Sequence, residues 1–172
     1  ALVGGAVRDG LLHHQHLAPC RGLPDLDFVV EGSAALLAET LQIRCGPERV
    51  PELRLYGAYG TAELVLDGVL LDLATARQEH YPAPGFHPVV KAGDLCSDLA
   101  RRDFTVNALA LVLSTQPASA VSPFILDLHG GHEHLALRQL EFLHDGSVAD
   151  DPTRVIRAAR YAARLGFGLA PQ

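Results

Sequence analysis

Residues 2–30 contain a glycine pair followed by an acid-x-acid pair. The glycine motif is Leu2-Val3-Gly4-Gly5-Ala6-Val7-Arg8-Asp9, and the acidic motif is Pro24-Asp25-Leu26-Asp27-Phe28-Val29-Val30. A loop without side chains exposes amides that can hold phosphate groups. Two carboxylates on one face can hold metal ions beside those phosphates. In this order the two motifs supply what phosphoryl transfer from a nucleotide requires.

Strand alternation predicts the geometry of the acid pair. Residues i and i+2 of a strand point the same way, so Asp25 and Asp27 share a face while Leu26 and Phe28 enter the core. Adjacent carboxylates repel each other, and a divalent cation such as Mg²⁺ removes that repulsion. Either motif alone is more often a plain turn or a solvated strand end. Their combination favours a functional site.

The glycine pair is predicted to open a helix near Ala6. Gly4 and Gly5 let the backbone approach a phosphate closely, because they carry no Cβ. The N–H groups and the positive dipole end of the helix then point to the same place. We therefore expect a phosphate cradle next to the acids.

Composition limits the class of protein. With 172 residues, 48% hydrophobic and 20% charged, the chain is typical of a soluble globular protein of one or two domains. It starts at Ala1 directly before a strand, so we expect sequence missing at both ends. The three cysteines, Cys20, Cys45 and Cys96, are few and widely spaced, which favours a reduced, cytoplasmic protein. No apolar run is long enough to predict a membrane span. The net charge of −6 argues against a general nucleic-acid coat but not against a local basic groove.

Several further elements are predicted from caps and turns. Ser33 is expected to cap a helix over residues 34–41. Two apolar runs, 62–66 and 69–73, flank Asp67-Gly68 and predict a hairpin. Asp72 within the second run is either a third acidic metal ligand or a solvent-facing polar residue. Position alone does not choose between these two roles.

The middle of the chain reads as loops and short elements. Residues 76–91 are predicted to form a loop because they contain three prolines and a glycine. Ser97 is expected to cap a short helix over 98–103, and residues 124–127 are expected to form a strand.

The last segment predicts a helix that begins at Asp150-Asp151-Pro152 and ends at Gly166. At ~100° per residue, two stripes are expected. The first contains four arginines: Arg154, Arg157, Arg160 and Arg164. The second, expected to face the core, contains Val155, Ile156, Ala159 and Ala163. An arginine stripe is usually a solvated face, but arginine without lysine suggests recognition of phosphates or bases.

Three stretches together resemble the head and neck of bacterial (class II) tRNA nucleotidyltransferases and their poly(A) polymerase relatives. The first is Leu2–Asp9 with Asp25-Leu26-Asp27. The second is Arg101-Arg102-Asp103-Phe104-Thr105-Val106-Asn107-Ala108, and the third is residues 151–167. The resemblance implies an α+β fold, a polymerase-beta-like nucleotidyltransferase palm with a small mixed sheet flanked by helices. Residues 1–146 would form this catalytic head, and residues 147–172 the start of a truncated, all-helical neck.

The resemblance also implies roles for individual residues. Asp25 and Asp27 would hold two Mg²⁺ ions that serve the RNA 3′-hydroxyl and the leaving pyrophosphate. The remaining residues would bind the nucleotide. Gly4, Gly5 and Arg8 would hold the triphosphate; Arg102, Asp103 and Asn107 would lie around the ribose and phosphates; Arg157 and Arg160 would contribute from the helix.

Asp151 and Arg154 match the pair that reads the incoming base in this family. Adenine and cytosine both present an amino donor beside a ring-nitrogen acceptor, and uracil and guanine present the reverse pattern. A carboxylate and a guanidinium therefore select A and C. Without the resemblance, Asp151 would be read as a helix cap and Arg154 as a surface side chain.

The sequence departs from the family pattern at two points within the matched region. Asp150 stands where the family usually has Glu. The link between glycine loop and acids is expanded into residues 13–22, with His13, His14, His16 and Cys20. We read this expansion as a surface insertion rather than a zinc site, because a second ligand pair is missing. The cluster His129, His132 and His134 is interpreted in the same way.

The resulting prediction is an RNA 3′-end nucleotidyltransferase that adds AMP or CMP from ATP or CTP to tRNA, with no DNA or membrane partner. The loop at 76–85 resembles that of members that add only the terminal A, while CC addition, CCA addition and poly(A) synthesis stay open. The alternatives are a non-catalytic nucleotide- or RNA-binding module and, more remotely, a dinucleotide-binding oxidoreductase, whose third glycine is absent.

Overall fold

The computed structural model describes residues 1–15, 19, 25–57, 60–113 and 122–171. The strands are β1 (Leu2–Val3), β2 (Leu26–Val30), β3 (Glu52–Tyr56), β4 (Thr61–Leu66), β5 (Val69–Thr75), β6 (Arg77–His80), β7 (Val89–Ala92), β8 (Leu109–Val112), β9 (Phe124–Asp127), β10 (Gln139–Leu140) and β11 (Gly168–Leu169). The helices are α1 (Gly5–His14), α2 (Ala34–Cys45), α3 (Leu95–Ala100), α4 (Gly131–Leu137), α5 (Ser147–Asp150) and α6 (Thr153–Leu165), with a 3-10 turn at Thr105–Asn107.

A seven-stranded mixed sheet forms the centre of the molecule, in the order β3-β4-β5-β2-β1-β8-β9. The pairing of β2 with β5 is parallel, and the other pairings in this sheet are antiparallel. Strands β6 and β7 form a separate antiparallel hairpin, and β10 pairs with β11. The expected α+β fold with a mixed sheet flanked by helices is confirmed.

The two faces of the sheet pack against different helices. On one face, Phe28 and Leu73 lie opposite each other and pack with Ala34 and Ala38 of α2. On the other face, Val29 packs with Leu99 of α3 and with small residues of β8. Because side chains alternate along β2, the face that buries Val29 also carries Asp27.

A third cluster joins α1 to α6. Val7 and Leu12 of α1 pack with Phe104, Leu135 and Ala158. This packing fixes the position of α6 relative to the glycine turn at the start of α1.

Several predicted elements are confirmed. The side chain of Ser33 accepts a hydrogen bond from the Leu36 N–H at the start of α2. The β4–β5 hairpin turns at Asp67 and Gly68, whose φ angles are 51° and 82°, as a two-residue Asp-Gly hairpin requires. Gly166 ends α6 in the left-handed conformation, with φ 68° and ψ 34°.

The prediction of a loop over residues 76–91 is wrong. Arg77–His80 pairs with Val89–Ala92, and the prolines lie in the connection between the two strands. Proline removes a ladder donor only where it stands, so it does not prevent pairing on either side. The prediction that Ser97 caps a helix is also wrong, because the carboxylate of Asp94 accepts from the Ser97 N–H and α3 begins at Leu95.

The predicted core face of α6 is wrong as well. Val155 and Ile156 are 52% and 73% exposed, and Ala159 and Ala163 are exposed too. Arg154 is 4% exposed and shares the buried face with Ala158. Arg157, Arg160 and Arg164 are exposed as well, so neither predicted stripe is buried as a whole. The guanidinium of Arg154 is buried because it finds polar partners inside.

In the described part of the chain, no helix has the length and apolar character needed to cross a membrane.

Candidate active site

A cavity of about 570 Å³ lies where the start of α1, the acidic face of the sheet, the β6–β7 hairpin, the end of α3 and α6 meet. Most of its lining residues are polar or charged. They are Gly4, Gly5, Asp27, Arg77, Glu79, Tyr81, Pro88, Arg101, Arg102, Asp103, Asn107, Asp151, Thr153, Arg154, Arg157 and Tyr161.

The glycine turn and the acidic strand are neighbours in this cavity. Gly4 precedes α1 with φ 68° and ψ −135°, a conformation that residues with a Cβ rarely adopt. A Cβ at this position would lie 3.4 Å from Oδ2 of Asp27 and 3.6 Å from Nη1 of Arg102. The absence of a side chain therefore keeps open the space between the helix start, the carboxylate and the guanidinium.

The acids of the sheet form a row across adjacent strands. The register of β2 and β5 places Asp27 opposite Asp72, and that of β4 and β5 places Asp72 opposite Glu63. Burial raises the pKa of Asp27; the Arg102 guanidinium opposes the rise, and the Asp25 carboxylate adds to it. Burial also raises the pKa of Asp72, with further contributions from Asp27, Glu63 and Asp25. These carboxylates are close enough to repel one another.

A divalent cation would remove this repulsion, and carboxylate oxygens are suitable ligands for such an ion. Among the residues that the structure describes, no group of three or more His, Cys, Asp or Glu side chains is arranged to hold a metal by itself. Mg²⁺ is usually bound by one or two carboxylates together with substrate phosphates. Asp27 lines the cavity beside Gly4, whereas Asp25 and Asp72 are not among the described lining residues.

The cavity is also lined by arginines that are held by buried acids. Asp98 is fully buried and accepts hydrogen bonds from Arg101 at 2.6 and 3.0 Å and from Arg102 at 3.0 Å. Glu79 pairs with Arg77 at 2.8 Å and with Arg101 at 3.2 Å. Asp98 and Glu79 were missed by the sequence analysis. The i,i+3 and i,i+4 spacing of Asp98 to the two arginines is the signal that could have identified it.

A second set of polar contacts lies between α1 and α6. Nε and Nη2 of Arg157 donate to Oδ2 of Asp103 at 2.8 and 2.6 Å. Oδ1 of Asp103 accepts from Nδ2 of Asn107 at 3.0 Å, and Oδ1 of Asn107 accepts from Nη1 of Arg8 at 2.6 Å. Asp103 and Asn107, both expected near the ribose and phosphates, thus belong to one hydrogen-bonded chain with Arg157 and Arg8.

Two arginines expected to bind the nucleotide, Arg8 and Arg160, contact other residues of this chain. Arg8 is 1% exposed, donates to Asp9 and Asn107, and stacks over the Tyr161 ring at 5.3 Å. Arg160 lies over the same ring at 5.4 Å. Neither is among the described residues that line the cavity. Arg8 orients Asn107 from beneath the cavity, and Arg160 lies on the exposed side of α6.

Asp151 and Arg154 are brought together at the start of α6. Oδ1 of Asp151 accepts from the N–H and the hydroxyl of Thr153 at 2.9 and 2.6 Å, and the Asp151 carbonyl accepts from the Arg154 N–H. The carboxylate of Asp151 therefore caps the start of α6, as the sequence predicts when the family resemblance is left aside. It also lines the cavity together with Arg154.

A known protein family matches most of this chain. The sequence profile of the poly A polymerase head domain matches residues 1–141. The chain belongs to this family. The resemblance stated from the sequence is confirmed, and the glycine turn, the acid pair and the motif at residues 101–108 all lie in the matched region.

The chain is also similar to tRNA nucleotidyltransferases of bacteria. It is 45% identical to the CC-adding tRNA nucleotidyltransferase of Deinococcus radiodurans over 173 aligned residues, which cover 100% of the chain and 42% of that protein. It is 40% identical to the A-adding tRNA nucleotidyltransferase of Aquifex aeolicus, covering 98% of the chain and 19% of that protein. The chain therefore spans less than half the length of these relatives.

A solved structure of a tRNA nucleotidyltransferase, complexed with a primer tRNA and an incoming ATP analog, has the same fold. Its TM-score is 0.77 and its sequence identity 36%, and the match covers 98% of this chain and 42% of that one. The division into a head at 1–146 and a neck at 147–172 stays a prediction.

The histidines near α4 have structural partners in this head domain. Asp127 accepts from the backbone N–H groups of His129, Gly131 and His132 at the start of α4. The ring of His132 hydrogen-bonds to Gln15, and that of His134 to Thr105. The expected surface insertion at residues 13–22 falls largely outside the described residues, including His16 and Cys20, and stays a prediction.

Proposed function

We propose that this chain is the catalytic head of a template-independent RNA 3′-end nucleotidyltransferase. It would transfer AMP or CMP, or both, from ATP or CTP to the 3′ end of tRNA and release pyrophosphate. The observation that carries the proposal is the position of Gly4 against Asp27 in a cavity that is also lined by arginines. The names of the relatives support the same reaction.

The nucleotide would bind with its triphosphate at the start of α1. The N–H groups of Gly4 and Gly5 would donate to phosphate oxygens, and Arg102 lies beside Gly4. Asp103 and Asn107, already fixed by Arg157 and Arg8, would contact the ribose.

Asp25 and Asp27 would hold Mg²⁺ ions against the triphosphate, with Asp72 as a third carboxylate on the next strand. When bound, these ions would supply positive charge for the attacking hydroxyl and the leaving pyrophosphate. The raised pKa of Asp27 and Asp72 is consistent with this assignment, since it comes first from burial of the two carboxylates and then from the neighbouring acids.

Asp151 and Arg154 would read the base. Oδ1 of Asp151 is used by Thr153, so the carboxylate would accept from the base amino group through Oδ2. Arg154 would donate to the ring nitrogen. This pattern accepts adenine and cytosine and leaves uracil and guanine mismatched.

Three aspects of the reaction stay predictions. The relatives include both A-adding and CC-adding enzymes, so the preference for A addition inferred from the loop at 76–85 is not decided. Poly(A) synthesis and a non-catalytic nucleotide-binding role are the alternatives. We expect a cytoplasmic location.

The test is to incubate the natural full-length protein with tRNAs that lack one, two or three nucleotides of the CCA end. Labelled ATP or CTP is supplied with Mg²⁺, and the double variant Asp25→Asn, Asp27→Asn serves as the control. We expect growth of at least one tRNA by the wild type and none by the variant. Nucleotide binding without growth of any tRNA or of a poly(A) primer would favour the non-catalytic alternative.

A further inference from the structure

Arg154 differs from the other arginines of the cavity. Arg77, Arg101, Arg102 and Arg157 each pair with a carboxylate. Arg154 is 4% exposed, yet among the described residues no carboxylate lies within the 4.0 Å ion-pair distance of its guanidinium. A buried cation without an anion is costly, so its position calls for a specific explanation.

Two neutral oxygens hold this guanidinium. Nη1 donates to Oγ of Ser147 at 2.9 Å, and Nη2 donates to the backbone carbonyl of Arg101, also at 2.9 Å. Ser147 is fully buried at the first position of α5. Arg101 ends α3, where unpaired carbonyls carry partial negative charge, and its side chain is held by Asp98.

We infer that Ser147 is a positioning residue that sets the nucleobase selectivity of the site by orienting Arg154. The inference rests on the proposed function, in which Arg154 reads the base. A guanidinium is planar, so acceptors on two neighbouring elements fix its plane and leave its remaining N–H groups for the cavity. A carboxylate in place of the hydroxyl would neutralise the charge that the base is proposed to meet.

The same contacts fix Arg154 relative to its proposed partner. The carboxylate of Asp151 is tied to Thr153, and its carbonyl accepts from the Arg154 N–H at 3.1 Å. The start of α6 therefore sets the position of the acceptor, whereas Ser147 sets the plane of the donor. Discrimination between bases depends on both, because hydrogen bonds weaken steeply when they are misaligned.

The experiment is to replace Ser147 by Ala in the natural full-length protein and to measure kcat/KM for ATP, CTP, UTP and GTP. Loss of one hydrogen bond to a charged group should lower the preference for the favoured nucleotide over UTP and GTP by about tenfold. Ser147→Thr, which keeps the hydroxyl, should restore the preference. If threonine does not fit, Ser147→Cys, with a weaker acceptor, should give an intermediate preference.

Ser33→Ala is the matched control. It removes a serine hydroxyl that caps α2, outside the cavity, so it should lower thermal stability without changing selectivity. An equal loss of kcat/KM for all four nucleotides in Ser147→Ala, or an unchanged ratio, would mean that Ser147 only supports the fold and would overturn the inference.

The variant Arg154→Ala distinguishes a failure of the role inferred for Ser147 from a failure of the proposed base reading by Arg154. If it relaxes selectivity while Ser147→Ala does not, the role of Ser147 is wrong and base reading by Arg154 stands. If Arg154→Ala leaves selectivity unchanged, the base-reading part of the proposed function fails.

Discussion

Carboxylates occur on two sides of the cavity, in opposite electrostatic surroundings. Asp27 and Asp72, on the sheet, have raised pKa values and lie near further acids. Asp98 and Asp103, on the arginine side, are more deeply buried, yet each is bonded to guanidinium groups. The acids whose charge is balanced within the chain maintain the shape of the site, and the unbalanced ones are left for a ligand.

This contrast predicts that neutralising the two kinds of acid has opposite effects on stability. A compensated buried acid loses its partners when it becomes an amide. For an acid with a raised pKa, burial and repulsion outweigh any attraction to a nearby cation, so its replacement relieves the metal-free protein. The aspartates below are replaced by asparagine, because the side chain keeps its shape.

The largest effect is expected for the double variant Asp25→Asn, Asp27→Asn. Nucleotide addition should fall by roughly 10³-fold or more, the scale of losing a charge-stabilising group in an active site. The melting temperature of the metal-free variant should be equal to or higher than that of the wild type, because repulsion is relieved. Steady-state incorporation and calorimetry in EDTA measure the two quantities. A melting temperature below that of the wild type would contradict the proposed difference between the two kinds of acid.

Asp98→Asn should have the opposite effect on stability. It removes the anion that holds both Arg101 and Arg102, so the free energy of unfolding should fall by about 3 kcal/mol. Urea denaturation measures this quantity. Glu52→Gln is the control, since Glu52 pairs with Arg54 on the surface and its loss should leave the midpoint unchanged. A stability of Asp98→Asn equal to that of the control would contradict the assignment.

The stabilising effect of a divalent cation should depend on pH through the protonation of the acids on the sheet, Asp27 and Asp72. Because the pKa values of Asp27 and Asp72 are raised in the folded state, their contribution to stability is fully present below the unfolded pKa and is lost as pH rises through the folded pKa. A divalent cation must displace those protons, so its stabilising effect should grow with pH over the same range. Melting temperatures with and without Mg²⁺ across that range test this, and a Mg²⁺ effect independent of pH would count against it.

The smallest effect is expected for Asp72→Asn. Without metal it should raise the melting temperature slightly, by removing repulsion with Asp27 and Glu63. If Asp72 is a metal ligand, the variant should also need more Mg²⁺ for half-maximal incorporation. An unchanged Mg²⁺ requirement would leave Asp72 as a polar residue beside the site.

Local patterns in the sequence predicted the parts of this site that depend on neighbours along the chain. The alternation at Asp25-Leu26-Asp27 correctly predicted that Leu26 and Phe28 pack against the core, and Asp67-Gly68 correctly predicted the hairpin. The buried face of α6 and the partners of Arg154 depend on Ser147 and on the Arg101 carbonyl, which come from other elements. The pairing of Glu79 with Arg101 is likewise visible only once α3 packs against the β6–β7 hairpin. Pairing between distant segments is set by tertiary packing, which periodicity does not encode.

The most direct test of the central claim is a crystal structure of the protein with Mn²⁺ in place of Mg²⁺ and a non-hydrolysable ATP or CTP analogue. Anomalous scattering locates the manganese ions independently of the protein atoms. We expect at least one peak between the carboxylates of Asp25 and Asp27 and the triphosphate, with the phosphates against Gly4 and Gly5. Manganese bound away from these two aspartates, or a triphosphate away from the glycine turn, would contradict the account.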